Sequence, residues 1–91
     1  MGSNRSRYEI DSALCKKGFH RKKNGRHIVY FLSGNPRIHT MMSHGTMGEA
    51  IGADLISKMA RQLRLTKTQF LDFIDCTISE EDYRTILRSI L

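Results

Sequence analysis

Four histidines, His20, His27, His39 and His44, stand in the first half of the chain, interleaved with its densest basic run, Arg21-Lys22-Lys23 and Arg26. An imidazole can accept or return a proton near cellular pH, and clustered Lys and Arg stabilise negative charge on phosphoryl oxygens. The combination suits either acid–base chemistry at a phosphate or docking of a polyanion. Charge along the chain is one-sided in the same sense. Residues 1–44 carry nine Lys/Arg against Glu9 and Asp11, a net of +7, whereas residues 45–91 carry six against seven acids, a net of −1. A field polarised in this way points first to nucleic acid, with an acidic protein or a membrane surface behind it.

Metal chemistry finds little support. The histidines, the cysteines Cys15 and Cys76 and the acids form no HxxxH, HExxH or CxxC pairing, so neither a metal site nor a cofactor is expected. The two cysteines are too few for a disulfide framework and are expected to be buried thiols in a reducing compartment. No apolar run is long enough to span a bilayer and the N-terminus lacks the apolar middle of a signal peptide, which makes the cytoplasm the expected location, with no membrane partner. At 91 residues the chain has room for one modest core, which excludes a large multi-domain enzyme with a deep cleft.

The elements that would position these side chains follow from spacing. "RYEIDSALCKKG" reads as a first helix, with Tyr8, Asp11, Leu14 and Cys15 at helical intervals, Ile10 and Ala13 beside them, and Gly18 as its stop. "FHRKK" and "RHIVYFL" flank Asn24-Gly25, a strong signal for a hairpin with those two residues in the loop. That loop sets Phe19 opposite Tyr30, His20 opposite Val29 and Lys22 opposite His27. His20, Lys22 and His27 then share one face, and Phe19, Ile28, Tyr30 and Leu32 form the core face. Val29 and Phe31 fall on the supposedly open face, as if something covered part of it.

"SGNP" supplies the next turn and "RIHTMM" a third strand, with Met41 and Met42 on opposite faces. Gly45, Gly48 and Gly52 suggest a flexible connection. Three helices follow: "DLISKMARQLRL" with Asp54 as cap, "KTQFLDFID" capped by Thr66, and "SEEDYRTILRSIL" capped by Ser79. The expected architecture is an α+β domain: a helix, a three-stranded antiparallel sheet, then helices packed on one face.

The ordered set "ALCKKGF", "GRHIVYF", "HTMMSHG" and "IGADLISKMARQLRLTKTQFLDFID", roughly residues 7–75, resembles the HicA family of bacterial and archaeal toxins. The resemblance implies a fold like that of double-stranded-RNA-binding domains and cleavage of messenger RNA by one histidine at the start of the second strand, within a "GSHHxF"-like sequence. That histidine corresponds to His27, with Gly25 at the family's glycine and Tyr30 at its aromatic. The partner implied is a HicB-like antitoxin that covers the active site. Arg26 replaces the usual serine, and the stretch from Gly18 to His27 is one residue shorter than in typical members. Residues 76–91 extend a single domain spanning 1–91 beyond a minimal member, and their helix is expected either to cover apolar surface or to mediate a homodimer.

RNA can be cleaved from within, because its 2′-hydroxyl attacks the adjacent phosphate once a base takes the proton, and no metal is required. His27 would be that base. Lys22, Lys23 and Arg26, with Arg21 and Lys17 extending the track, would hold phosphate. His44, His20 or water would protonate the leaving 5′-oxygen. Two other classes stay open. A non-catalytic RNA- or partner-binding module needs only the fold and the charge. A helix-turn-helix DNA reader is imitated by "MARQLRLTKTQFLDFI", although Asp72 and Asp75 in its second helix would repel phosphate and Arg64 sits where the turn often has glycine.

Overall fold

A computed structural model describes residues 5–43 and 50–90 of the chain. Their order is β1 (Arg5–Ser6), α1 (Arg7–Lys16), β2 (Phe19–Asn24), β3 (His27–Leu32), β4 (Asn35–Ser43), β5 (Ala50–Ile51), α2 (Ala53–Gln62), α3 (Lys67–Ile74) and α4 (Glu80–Ile90). The protein is an α+β fold in which β2, β3 and β4 form an antiparallel sheet in that spatial order and the helices pack on one of its faces. The connection expected from Gly45 and Gly48 lies outside the described residues.

Local chemistry sets the helix boundaries. Ser6 caps α1 by accepting from the Glu9 amide while the Glu9 carboxylate accepts from the Ser6 amide, and Thr66 and Gln69 repeat this reciprocal cap on α3. On α4, Ser79 exchanges the same two bonds with Asp82. The cap on α2 differs from expectation. Gly52 holds that position without a side-chain bond, and Asp54 lies inside the first turn, where a negative charge favours the positive end of the helix.

The hairpin loop also differs. Gly25 and Arg26, rather than Asn24 and Gly25, occupy it, so Phe19 pairs with Leu32, His20 with Phe31, Lys22 with Val29 and Asn24 with His27. Gly25 has φ +64° and no positive φ occurs at Arg26, the Gly-first arrangement of a hairpin loop. Each pair slides by two residues relative to the expected register, which preserves parity and therefore the division into faces. The gain is a pairing of Phe19 with Leu32 at the end of the sheet that α4 covers. The third strand begins earlier than expected, at Asn35. Pro36 is accommodated because β4 is an edge strand, and a register irregularity sits beside it.

The core gathers Ile28, Tyr30, Leu32, Ile38 and Met42 from the sheet with Ile10 and Leu14 of α1, Ile56 and Met59 of α2, and Phe70 and Phe73 of α3. The first helix is rotated from the expected face: Ile10, Asp11, Ala13 and Leu14 are buried, whereas Tyr8 is 63% exposed. Cys15 and Cys76 are both exposed and free, not buried as their residue type suggested.

The C-terminal helix belongs to the same core. Tyr83 is fully buried against Phe19 and Phe73, with ring centroids 5.8 and 4.8 Å away, and its hydroxyl donates to the Leu63 carbonyl at 2.8 Å. Burial pushes the Tyr83 phenol above its ordinary value. Glu80 and Arg84, ion-paired at 3.1 Å, close over Gly18, where an added Cβ would lie 2.6 Å from Glu80 Oε2. The φ of +94° is what reserves that position for glycine, since the tips of the two ion-paired side chains can shift.

Candidate nucleic-acid interface

The face of the sheet away from the helices is built by strict alternation. Residues of β2, β3 and β4 that point from the core form three cross-strand rows: His20, Phe31 and His39; Lys22, Val29 and Met41; and Asn24, His27 and the backbone position of Ser43. His20, Lys22, Asn24, His27 and His39 are exposed, Met41 is 38% exposed, and Val29 and Phe31 are half-buried. No acid occurs in any of the three strands; Lys22 points from this face and Arg26 lies in the loop beside it, whereas Arg21 and Lys23 alternate to the helix side. The face combines positive potential with flat apolar and aromatic surface.

Within this face the residues near His27 are Asn24 directly across the hairpin, Lys22 on the diagonal and Arg26 preceding it in the loop. Directly paired side chains have Cβ atoms about 5 Å apart and diagonal ones about 7–8 Å. Lys22 and Arg26 are thus close enough to share a phosphate with His27. His20 and His39 are not. Both lie in the row of Phe31, four residues along the strand from His27, a separation of about 13 Å at the rise of a β-strand. His44 lies outside the described residues, next after Ser43, the partner of His27 on β4.

The remaining cations expected on the phosphate track divide sharply. Lys23 is exposed near the hairpin tip. Arg21 faces the helices, where its Nη1 donates to both carboxylate oxygens of Asp11 at 3.0 and 2.9 Å. The same carboxylate accepts from the Tyr30 hydroxyl at 2.6 Å. The bond to Asp11 raises the Arg21 guanidinium above its ordinary value, and burial, then the hydrogen bond to Asp11, raises the Tyr30 phenol. Burial likewise raises the neighbouring Cys15 thiol, which disfavours the reactive thiolate.

Lys17 is buried, donates to the Phe73 carbonyl and, at 2.8 Å, to the Ile78 carbonyl, and sits 4.6 Å from the centroid of the Phe73 ring. It neutralises the C-terminal end of α3 and is not brought to the open face. Arg21 and Lys17 thus hold helices in place. Lys23, expected on the phosphate track, pairs with the core residue Ile28 and so alternates to the same side of the sheet as Arg21, which leaves Lys22 and Arg26 as the cations beside His27.

Phe31, Met41 and His39 are the interface residues that sequence reasoning did not assign. Their signal was the alternation itself, which placed Phe31 and Val29 on the open face without naming a use for them. His20 and Phe31 form a ring contact, centroids 5.8 Å apart and planes inclined by 41°. The Arg37 carbonyl, which can only accept, lies 3.1 Å from His39 Nδ1, so that nitrogen carries the proton. Among the described residues no group of His, Cys, Asp and Glu is placed to hold a metal ion. Among the described residues, one surface depression of about 560 Å³ is lined by Ser79, Glu80, Glu81, Arg84 and Arg88.

The helix-turn-helix segment is present as α2 and α3, with Arg64 at φ +67° in the turn, the conformation for which glycine is usual. Its second helix buries Phe70, Phe73 and Ile74, and its C-cap, Asp75, is ion-paired to Arg5 at 2.7 Å. No family model, curated protein or solved structure matches the chain. Among the described residues no helix is long and apolar enough to cross a membrane.

Proposed function

We propose that this protein is a cytoplasmic RNA-cleaving enzyme of the HicA-like type, in which the open sheet face receives RNA and His27 acts as general base without a metal. The observation that carries the reading is the placement of an exposed histidine on an acid-free sheet face, with Lys22 and Arg26 beside it. A 2′-hydroxyl seated against His27 would lose its proton to the imidazole and attack the adjacent phosphorus. Lys22 and Arg26 would stabilise the charge growing on the phosphoryl oxygens, and the bond to the 5′-oxygen would break. The resemblance carried by "GRHIVYF" supports the choice of His27, and an acidic HicB-like antitoxin would find the same face complementary.

A second reading draws on the spacing of the histidines. With His20 and His39 about 13 Å along the strand from His27, neither can protonate the oxygen that leaves a phosphate held at His27. That task falls to water or to a group outside the described residues, and a binding module without turnover does not need it. The deciding experiment is cleavage of a long single-stranded RNA in EDTA by wild type and His27→Ala, with binding of both followed across a salt series. The enzyme reading expects the variant to bind as wild type does and to lose cleavage about 10²–10⁴-fold, the usual contribution of a general base. Binding by both with cleavage by neither would make the chain an RNA-binding relative.

A further inference from the structure

We infer that the cross-strand row His20, Phe31 and His39 is a base-stacking platform for single-stranded RNA, separate from the phosphate position at His27. This rests on the RNA reading above and adds to it a contact that reads bases instead of backbone. Three observations combine. The register places three flat rings side by side across three strands, with Phe31 between two exposed imidazoles. Phe31 stays half-exposed although the core on the opposite face buries every other phenylalanine, Phe19, Phe70 and Phe73. The surface around the row is positively charged and free of acids in all three strands, which suits a polyanion and opposes an acidic side chain as a fixed structural neighbour.

Aromatic rings on an open sheet face are where unstacked bases find a partner, because every base has a π-face and a flat surface excludes none of them. A duplex hides those faces, so the platform selects single-stranded RNA. The intermediate row contributes Lys22 between the rings and His27, with Val29 and Met41 as the apolar floor. A strand lying along β3 would stack at Phe31, pass its backbone by Lys22 and present a phosphate at His27, a span of about 13 Å that a few nucleotides cover. His39, tied by its Nδ1 to the Arg37 carbonyl, is held for stacking with its other ring nitrogen turned toward a base edge.

The test is fluorescence anisotropy with a short fluorescein-labelled single-stranded RNA of mixed sequence, its abasic counterpart and the matching duplex, all in a His27→Ala background that prevents cutting. Adding Phe31→Ala is expected to weaken binding of the base-bearing strand about tenfold, the order found for one lost stacking partner, and to leave the abasic strand unaffected. Phe31→Trp restores binding, and His20→Ala with His39→Ala repeats the loss. An equal loss on both strands, or no loss, overturns the platform, as does tighter binding of the duplex. The cleavage reading fails separately. If wild type never cuts RNA but the Phe31 effect depends on the bases, the platform stands without the enzyme; if wild type cuts and Phe31→Ala leaves KM unchanged, the enzyme stands without the platform.

Discussion

Arg21 and Lys22 are neighbours in one strand and carry the same charge, yet they serve opposite faces. Arg21 turns toward the helices, where Asp11 binds it in company with the Tyr30 hydroxyl, and it fixes α1 to the sheet. Lys22 turns away, with Val29 as its cross-strand partner and solvent over it. The period of the strand, not the residue type, decides which cation is structural and which is offered to a ligand. The contrast extends along the sheet: Phe19 packs on Tyr83 and Phe73, whereas among the described residues Phe31 has a ring contact with His20 alone. A basic run read as one phosphate track is two half-tracks on opposite sides of a sheet.

The largest test of that contrast is a pair of phenylalanine truncations. Phe73→Ala removes a fully buried ring that touches Phe19, Tyr83 and the Lys17 ammonium, and should lower unfolding stability by about 3–5 kcal/mol. Phe31→Ala, on the open face, should cost less than about 1 kcal/mol while changing RNA binding. Urea unfolding of both variants measures the difference. Equal losses would mean that the open face is a second core, and would break the comparison.

The cations give a smaller effect of the same kind. Lys17→Met takes the ammonium from the Ile78 carbonyl and leaves the Phe73 carbonyl to its backbone donors alone, and should cost about 1–3 kcal/mol, with the salt dependence of RNA binding unchanged. Lys22→Ala should leave stability within about 0.5 kcal/mol of wild type and reduce the slope of log affinity against log salt by about 1, the signature of one lost phosphate contact. Thermal unfolding and a salt titration of the two variants separate them. A lost slope in Lys17→Met would return that lysine to the ligand track.

Much of this arrangement was legible in the sequence, and the gaps have physical causes. Alternation and turn residues located the three strands and divided their faces correctly, because a shift of both loop residues by one position preserves parity. They could not locate the loop itself, since Gly25 supplies a positive φ equally well at either loop position and only the packing of Phe19 beside Leu32 and Tyr83 chooses between them. The face of α1 was misjudged at Tyr8 and Cys15, whose apolar character set them beside Asp11 and Leu14; the packed stripe is centred instead on Ile10 and Leu14, with Asp11 held at its edge by Tyr30 and Arg21 across the hairpin. The β1–β5 ladder, Arg5 with Ile51 and Ser6 with Ala50, is too short for any periodic signal. The row of His20, Phe31 and His39 required the true register, which no local pattern contains.

The smallest effect expected is an acid-side change at the exposed ion pair that ties β1 to the end of α3. Arg5 donates to both oxygens of Asp75, at 2.9 and 2.7 Å, and this hydrogen bonding holds the Asp75 carboxyl below its ordinary value of 3.8, against the opposing effect of desolvation. A depressed carboxylate stabilises the fold fully above its unfolded value and loses that contribution as pH falls through the lower folded value. Asp75 is 42% exposed, so the pair is screened and is worth about 0.2–1 kcal/mol at neutral pH. Asp75→Asn should therefore unfold at slightly lower urea than wild type at pH 7, with the gap narrowing below pH 3.8 and also in high salt. The covered pair of Arg21 and Asp11 is expected to respond less to salt than this one, because its carboxylate has only 11% of its side-chain surface in water. Equal salt sensitivity of Asp11→Asn and Asp75→Asn would erase the distinction between the two pairs, and with it the electrostatic part of the contrast between the faces.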